Sequence, residues 1–161
     1  MACNIHKNNL LEYRIRNGPV AMIVGPTDTG KSTLAKLLCN YASRMGRKPI
    51  LVDLDVGQGS ISVPGTVGAV LVERVAAIEE GCFSEAAPLV YNYGHKTPGV
   101  NPDLYKQLVS RLADVVRERT QKSVKAQVGG VVVNTCGWVR GEGYVQVRNH
   151  MIQLLKLYLP Y

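Results

Sequence analysis

Nine residues, Gly25-Pro26-Thr27-Asp28-Thr29-Gly30-Lys31-Ser32-Thr33, constrain this chain more than any other stretch. Their spacing fits G-x-x-x-x-G-K-[ST], a loop that cradles phosphate when a strand enters it and a helix leaves it. Both neighbours are legible. Val20-Ala21-Met22-Ile23-Val24 is a short apolar run of the buried-strand type. Leu34, Leu37, Leu38, Tyr41, Ala42 and Met45 recur at helical spacing, and Gly46 is placed to end that helix. Gly25 and Gly30 let the backbone turn tightly and approach an anion with no Cβ in the way. The N–H groups of the loop and of the helix N-terminus then face the phosphates. In such a loop Gly25, Thr27, Asp28, Thr29, Gly30, Lys31, Ser32 and Thr33 surround a nucleotide's phosphate tail. Lys31 reaches the β- and γ-phosphates and the Ser32 hydroxyl ligates Mg²⁺. Thr33 either touches the α-phosphate or packs.

The chain has 161 residues, enough for one domain with a core. Hydrophobic content of 46% with 19% charged residues excludes a disordered chain. No apolar run reaches the length of a membrane span, and the first residues lack the apolar centre of a signal peptide. An intracellular soluble protein is the expectation. Cys3, Cys39, Cys82 and Cys136 are scattered with no C-x-x-C pair, so neither a zinc cage nor a disulfide framework is indicated; Cys39 and Cys136 read as buried thiols. The net charge of +7 suits a nucleic acid or any polyphosphate.

After Gly46, Pro49 opens Ile50-Leu51-Val52-Asp53-Leu54-Asp55, a second apolar strand tipped with carboxylates. Strand, helix and strand of this length predict a parallel crossover. Asp53 and Asp55 are two apart and share a side of the strand. Ligands gather at this end of an open α/β sheet. There, one carboxylate can hold a metal or its water and one can take a proton from an attacking hydroxyl. Gln58, between Gly57 and Gly59, brings a polar side chain close to the same place. Residues 67–75 read as a third apolar segment and residues 88–94 as an alternating strand. Asn101-Pro102-Asp103 is a helix start, with an N-cap, a proline at N1 and an acid in the first turn. Leu104, Leu108, Leu112, Val115 and Val116 continue it along one face. Residues 129–134 read as a β-branched buried strand that runs into Thr135-Cys136-Gly137-Trp138. A tryptophan at such a strand end reads from its residues as core more readily than as a stacking surface.

Gly25 to Thr33, then Asp53-Leu54-Asp55-Val56-Gly57-Gln58-Gly59, Val63-Pro64-Gly65-Thr66 and Asn134-Thr135-Cys136-Gly137-Trp138-Val139, stand in the order seen in the polynucleotide 5′-hydroxyl-kinase family. The chain resembles its Clp type over residues 18–144. The resemblance implies a P-loop α/β core with a mostly parallel sheet flanked by helices. It implies ATP and Mg²⁺ as cofactors and transfer of the γ-phosphate to the 5′-hydroxyl of RNA. Under it Lys31 and Asp55 are catalytic, Ser32 and Gln58 hold the metal directly or through water, and Asp53 supports them. The loop His95-Lys96-Thr97-Pro98-Gly99 matches one that helps hold the RNA end, with Lys96 on a backbone phosphate, although by its residues alone it is also an ordinary turn. Trp138 matches a tryptophan that stacks on a nucleotide near the 5′ end. The resemblance further implies a nuclear protein that meets subunits of the mRNA cleavage factor and of the tRNA-splicing endonuclease.

Residues 1–17 read as an N-terminal extension, 18–144 as the kinase core and 145–161 as a divergent tail, helical from about Asn149. The family's arginine-bearing lid, N-terminal β-domain and C-terminal domain do not fit within 161 residues, which makes the core incomplete relative to the family. Lid arginines neutralise charge in phosphoryl transfer. Their role would fall to Lys31 and Mg²⁺ unless Arg140 or Arg148 substitutes. A catalytically silent ATP-binding scaffold is therefore the alternative to an active kinase. A GTPase is disfavoured because no N-K-x-D segment follows residues 131–133.

Overall fold

A computed structural model of the chain describes residues 18–76 and 87–138, with Phe83 and Val145 in addition. The helix read from residue 149, the turn at 78–81, the N-terminal extension and Arg140 and Arg148 lie outside the described residues.

The apolar run before the glycine loop forms β1 (Val20–Ile23), and the loop opens directly into α1 (Lys31–Arg44). The helix ends where Gly46 stands: the Arg47 N–H reaches back to the Ala42 carbonyl and the Gly46 N–H to the Ser43 carbonyl, a six-to-one and five-to-two pair that satisfies the last carbonyls. There follow β2 (Ile50–Asp53), β3 (Thr66–Leu71) and β4 (Leu89–Asn92). A 3₁₀ turn at Pro98–Val100 precedes α2 (Pro102–Lys122), and α3 (Val124–Gly129) leads into β5 (Val131–Asn134). The start of α2 is as read: the Asn101 side chain accepts from the Leu104 N–H, with Pro102 and Asp103 in the first turn. The short α3 had no periodic signal. Gly129 and Gly130, read as the start of the last strand, instead close that helix and turn the chain.

The strand order is β1-β5-β2-β3-β4. The pairings β1–β5 and β5–β2 are parallel, whereas β2–β3 and β3–β4 are antiparallel. Four strands thus run one way and only β3 is reversed, the mostly parallel sheet that was expected. The crossover from β1 to β2 leaves a gap that β5 fills.

Two apolar layers sandwich the sheet. Ile50, Val52, Val131 and Val133 pack with Tyr105, Val109, Leu112 and Val116 of α2. Leu51, Val70 and Val132, pointing the other way, meet Ala35 and Cys39 of α1. The alternation follows from the period of two along a strand. β1 is only half-buried, since it borders the sheet among the described residues. In α1 the large apolar stripe points outward: Leu34, Leu37, Leu38, Tyr41 and Met45 are all exposed, while Lys31, Ala35 and Cys39 face inward. Small side chains let the helix sit close on the sheet and hold its N-terminus at the strand ends. Burial pushes the Cys39 thiol up to about 12, and Cys136 is raised by the same cause, as befits inert core thiols. Among the described residues no helix is long and apolar enough to cross a membrane.

Candidate functional site

The parallel strands end level with one another: Ile23 stands beside Asn134, and Asn134 beside Asp53. The loops that leave β1, β5 and β2 therefore converge on one edge, the carboxyl edge where open α/β sheets bind ligands.

The first of these is the glycine loop. Gly30 caps α1 in the left-handed region, at φ 78°, with no side-chain cap and no acid in the first turn. Asp28, at φ 61°, takes the same region, which Asp tolerates better than most residues. The α1 N–H groups are therefore left for a ligand, whereas Asn101 and Ser123 cap the other two helices. The Pro26 carbonyl accepts from Thr29 Oγ1 at 2.8 Å and from Lys31 Nζ at 2.6 Å. That contact folds the Lys31 ammonium under the loop, where the residue is 8% exposed.

The second loop brings the carboxylates, and the structure gives them different surroundings. Asp53 Oδ1 accepts from the Asp55 N–H at 3.0 Å and from Asn134 Nδ2 at 3.0 Å; Oδ2 accepts from the Ser60 N–H and hydroxyl. Its lone pairs are taken up, so it braces the loop. Asp55 accepts from the Gly57 N–H at 2.9 Å and opens onto the glycine loop. Burial chiefly, with the Asp53 charge adding, raises its carboxyl above the ordinary carboxylate range, against the pull of the Gly57 and Gln58 N–H groups and of Lys31. Behind it, Tyr105 donates its hydroxyl to the Leu54 carbonyl at 2.8 Å.

Thr27, Asp28, Thr29, Gly30, Lys31, Ser32, Thr33, Asp55 and Gln58 line one cleft of about 180 Å³. Gly25 lies behind it, with the Thr29 hydroxyl 3.0 Å from where a Cβ would stand. The lining has charge and hydroxyls but no apolar platform for a base. The cleft therefore suits the phosphate end of a nucleotide.

Lys96, Thr97 and Trp138 do not line the cleft but adjoin it. The Lys96 carbonyl lies 3.4 Å and Asp55 Oδ1 3.2 Å from the point where a Gly57 Cβ would be. The Lys96 and Thr97 side chains are exposed. Their loop is wound around the buried Tyr93 hydroxyl, which accepts from the Asn101 N–H at 2.9 Å and donates to the Pro98 carbonyl at 2.9 Å. Trp138 is half-buried, its ring edge 3.6 Å from a Cβ position on Gly99.

Asn134 is the residue that sequence reasoning missed. It is 1% exposed and its Nδ2 donates to both Ser32 Oγ, at 3.1 Å, and Asp53 Oδ1. Its Oδ1 is buried with no partner. A polar residue closing a run of three valines was the available signal. The site fits a hard cation: the Ser32 hydroxyl, the Asp55 carboxylate and the Gln58 amide line one cleft, and Asn134 holds the Ser32 hydroxyl.

Comparison with known proteins agrees with this geometry. A solved structure of the Clp1p–Pcf11p complex superposes with a TM-score of 0.76 at 24% identity, over 96% of this chain and 40% of that one, which shows the fold. The "Protein CLP1 homolog" of Anopheles gambiae is 54% identical over 142 residues, 88% of this chain and 33% of the relative. The "Polyribonucleotide 5′-hydroxyl-kinase Clp1" of Homo sapiens is 59% identical over 133 residues, 83% of this chain and 31% of the relative. The chain thus spans about a third of the length of the curated relatives it matches. A family model, mRNA cleavage and polyadenylation factor CLP1 P-loop, matches residues 25–159, which runs past Tyr144. With its glycine loop, carboxylate loop and β5 end set on one sheet edge as described, the chain belongs to the CLP1 P-loop family.

Proposed function

We propose that this chain is the nucleotide-binding core of an ATP-dependent polynucleotide 5′-hydroxyl kinase that acts on RNA ends. The observation that carries the reading is the shared cleft: one carboxylate with a raised pKa, Asp55, opens onto the same space as the Lys31 ammonium and the uncapped N-terminus of α1. The name of the human relative supports the activity, and the family description supports a place in mRNA cleavage.

The N–H groups of residues 27–33 grip the ATP phosphates, and Lys31 leaves the Pro26 carbonyl to follow charge onto the γ-oxygens. The Asp55 carboxylate takes the proton of the RNA 5′-hydroxyl as that oxygen attacks the γ-phosphorus and ADP departs. A raised pKa makes it a better base for this task. Ser32, oriented by Asn134, and Gln58 would hold Mg²⁺, which when bound neutralises charge on the phosphate oxygens. Asp53 keeps the Asp55 backbone in place. Lys96 and Thr97 meet the RNA backbone, and Trp138 stacks on a base near the end, an interaction typically worth about 1–3 kcal/mol. The protein works in the nucleus with subunits of the mRNA cleavage factor, a setting supported by the family description, and of the tRNA-splicing endonuclease.

The test is transfer of labelled γ-phosphate to a 5′-hydroxyl oligoribonucleotide. The reading requires label in the RNA above an Asp55→Asn control. One observation favours the silent scaffold as second reading: among the described residues no arginine lines the cleft. ATP retained through purification without any transfer supports the scaffold; equal affinity for ATP in parent and Lys31→Ala defeats both readings.

A further inference from the structure

The segment that follows β5 touches each side of the site in turn. Thr135 donates its hydroxyl to the Ile23 carbonyl at 2.7 Å, just ahead of the glycine loop. Two residues on, a Cβ added to Gly137 would lie 2.2 Å from Thr27 Oγ1, 2.7 Å from the Thr27 nitrogen and 2.9 Å from its Cα. The two backbones are therefore in direct contact, with no side chain between them to absorb movement. The next residue, Trp138, rests its ring edge on Gly99, and Thr97 Cγ2 is 3.9 Å from the same Cβ position. Glycine loop, strand end and RNA-side loop thus form one chain of hard contacts.

We propose that Gly137 is a positioning residue that couples occupancy of the glycine loop to the placement of Trp138. The inference rests on the nucleotide reading above and adds to it. Thr27 is among the residues whose N–H groups face the phosphates. When phosphates draw the loop in, the Thr27 backbone moves against Gly137, and Trp138 moves with its neighbour. Close-packed backbone transmits such displacements because it has no void to collapse into. Coupling of this kind is reciprocal, so a base held on Trp138 changes nucleotide affinity by the factor with which nucleotide changes RNA affinity.

Trp138 is the only tryptophan of the chain, so selective excitation reports it alone. The experiment titrates the full chain with the Mg²⁺ complex of β,γ-imido-ATP and follows tryptophan emission and calorimetric heat in parallel. The proposal expects an emission change that saturates at the calorimetric midpoint, although Trp138 does not line the nucleotide cleft, and neither signal in Lys31→Ala. Gly137→Ala, whose methyl group forces Thr27 aside, should bind the analogue about tenfold more weakly or worse, while circular dichroism shows it folded. Heat in the parent with a flat emission trace overturns the coupling and leaves the nucleotide reading standing. Parental affinity in a folded Gly137→Ala also overturns it. No heat in the parent overturns the nucleotide reading itself. Should Gly137→Ala not fold, the emission titration of the parent decides alone.

Discussion

Replacing Asn134 with leucine keeps the volume of the side chain and removes its hydrogen-bonding atoms. Two donations vanish, one to the Asp53 carboxyl group and one to the Ser32 hydroxyl. A hydrogen bond to a charged group is worth about 1.5–3 kcal/mol and a neutral one about 0.5–1.5 kcal/mol. The substitution also deletes the orphaned Oδ1, whose burial costs about 1–3 kcal/mol. The net loss is therefore about 1 kcal/mol, or a melting temperature lower by roughly 2–4 °C for a chain of this size. Asp53 keeps its three other donors, so the fold survives. The functional effect is selective. Ser32 loses its orienting partner, and affinity for Mg·ATP falls while affinity for ATP in EDTA does not. Calorimetry with and without the metal, beside a thermal melt, measures both. Asn134→Asp replaces the amide donor with a second acidic group beside Asp53 and melts lower still. An Asn134→Leu variant that melts with the parent and binds Mg·ATP as tightly would refute the bridging role.

Three further outcomes follow from named contacts. Asp55 binds its proton more tightly in the folded chain than in the unfolded one, so its contribution to stability falls as pH rises from the ordinary carboxylate value of about 3.9 through the raised folded value. Asp55→Asn therefore melts higher than the parent at pH 7, loses that advantage at pH 3.5 (thermal melts across pH), and transfers no phosphate. Tyr93→Phe frees the loop that is wound on its hydroxyl, costs about 1–2 kcal/mol and raises KM for RNA more than for ATP; steady-state kinetics with each substrate varied separates the two. Leu37→Lys, on the outward stripe of α1, shifts stability by no more than about 0.5 kcal/mol in a denaturant titration, because that side chain is 48% exposed.

The glycine loop, its flanking strand and helix, the carboxylate-tipped strand and the capped start of α2 were legible because each is local. A loop that must offer N–H groups needs glycines at set positions, and the Asn101 acceptor, Pro102 and Asp103 that start α2 are adjacent in sequence. The residues from Thr27 to Thr33, with Asp55 and Gln58, were likewise named from spacing, and the structure brings them into one cleft. Periodicity could identify α1 as a helix but not which face it buries. The stripe of Leu34, Leu37, Leu38, Tyr41 and Met45 points to solvent, while the small side chains of Ala35 and Cys39 hold the helix against the sheet.

What the sequence determined by itself was a phosphate-binding turn between a strand and a helix, and two carboxylates on a second strand end. Tertiary structure decided which carboxylate is available. Insertion of β5 between β1 and β2 set Asn134, 81 residues away in sequence, against Asp53 and added a fourth donor to the three from its own loop, leaving Asp55 with the open side. The same strand carried Gly137 onto Thr27. Strand order is a global choice made by packing across the whole sheet, and no local run of residues encodes which distant side chain arrives beside which.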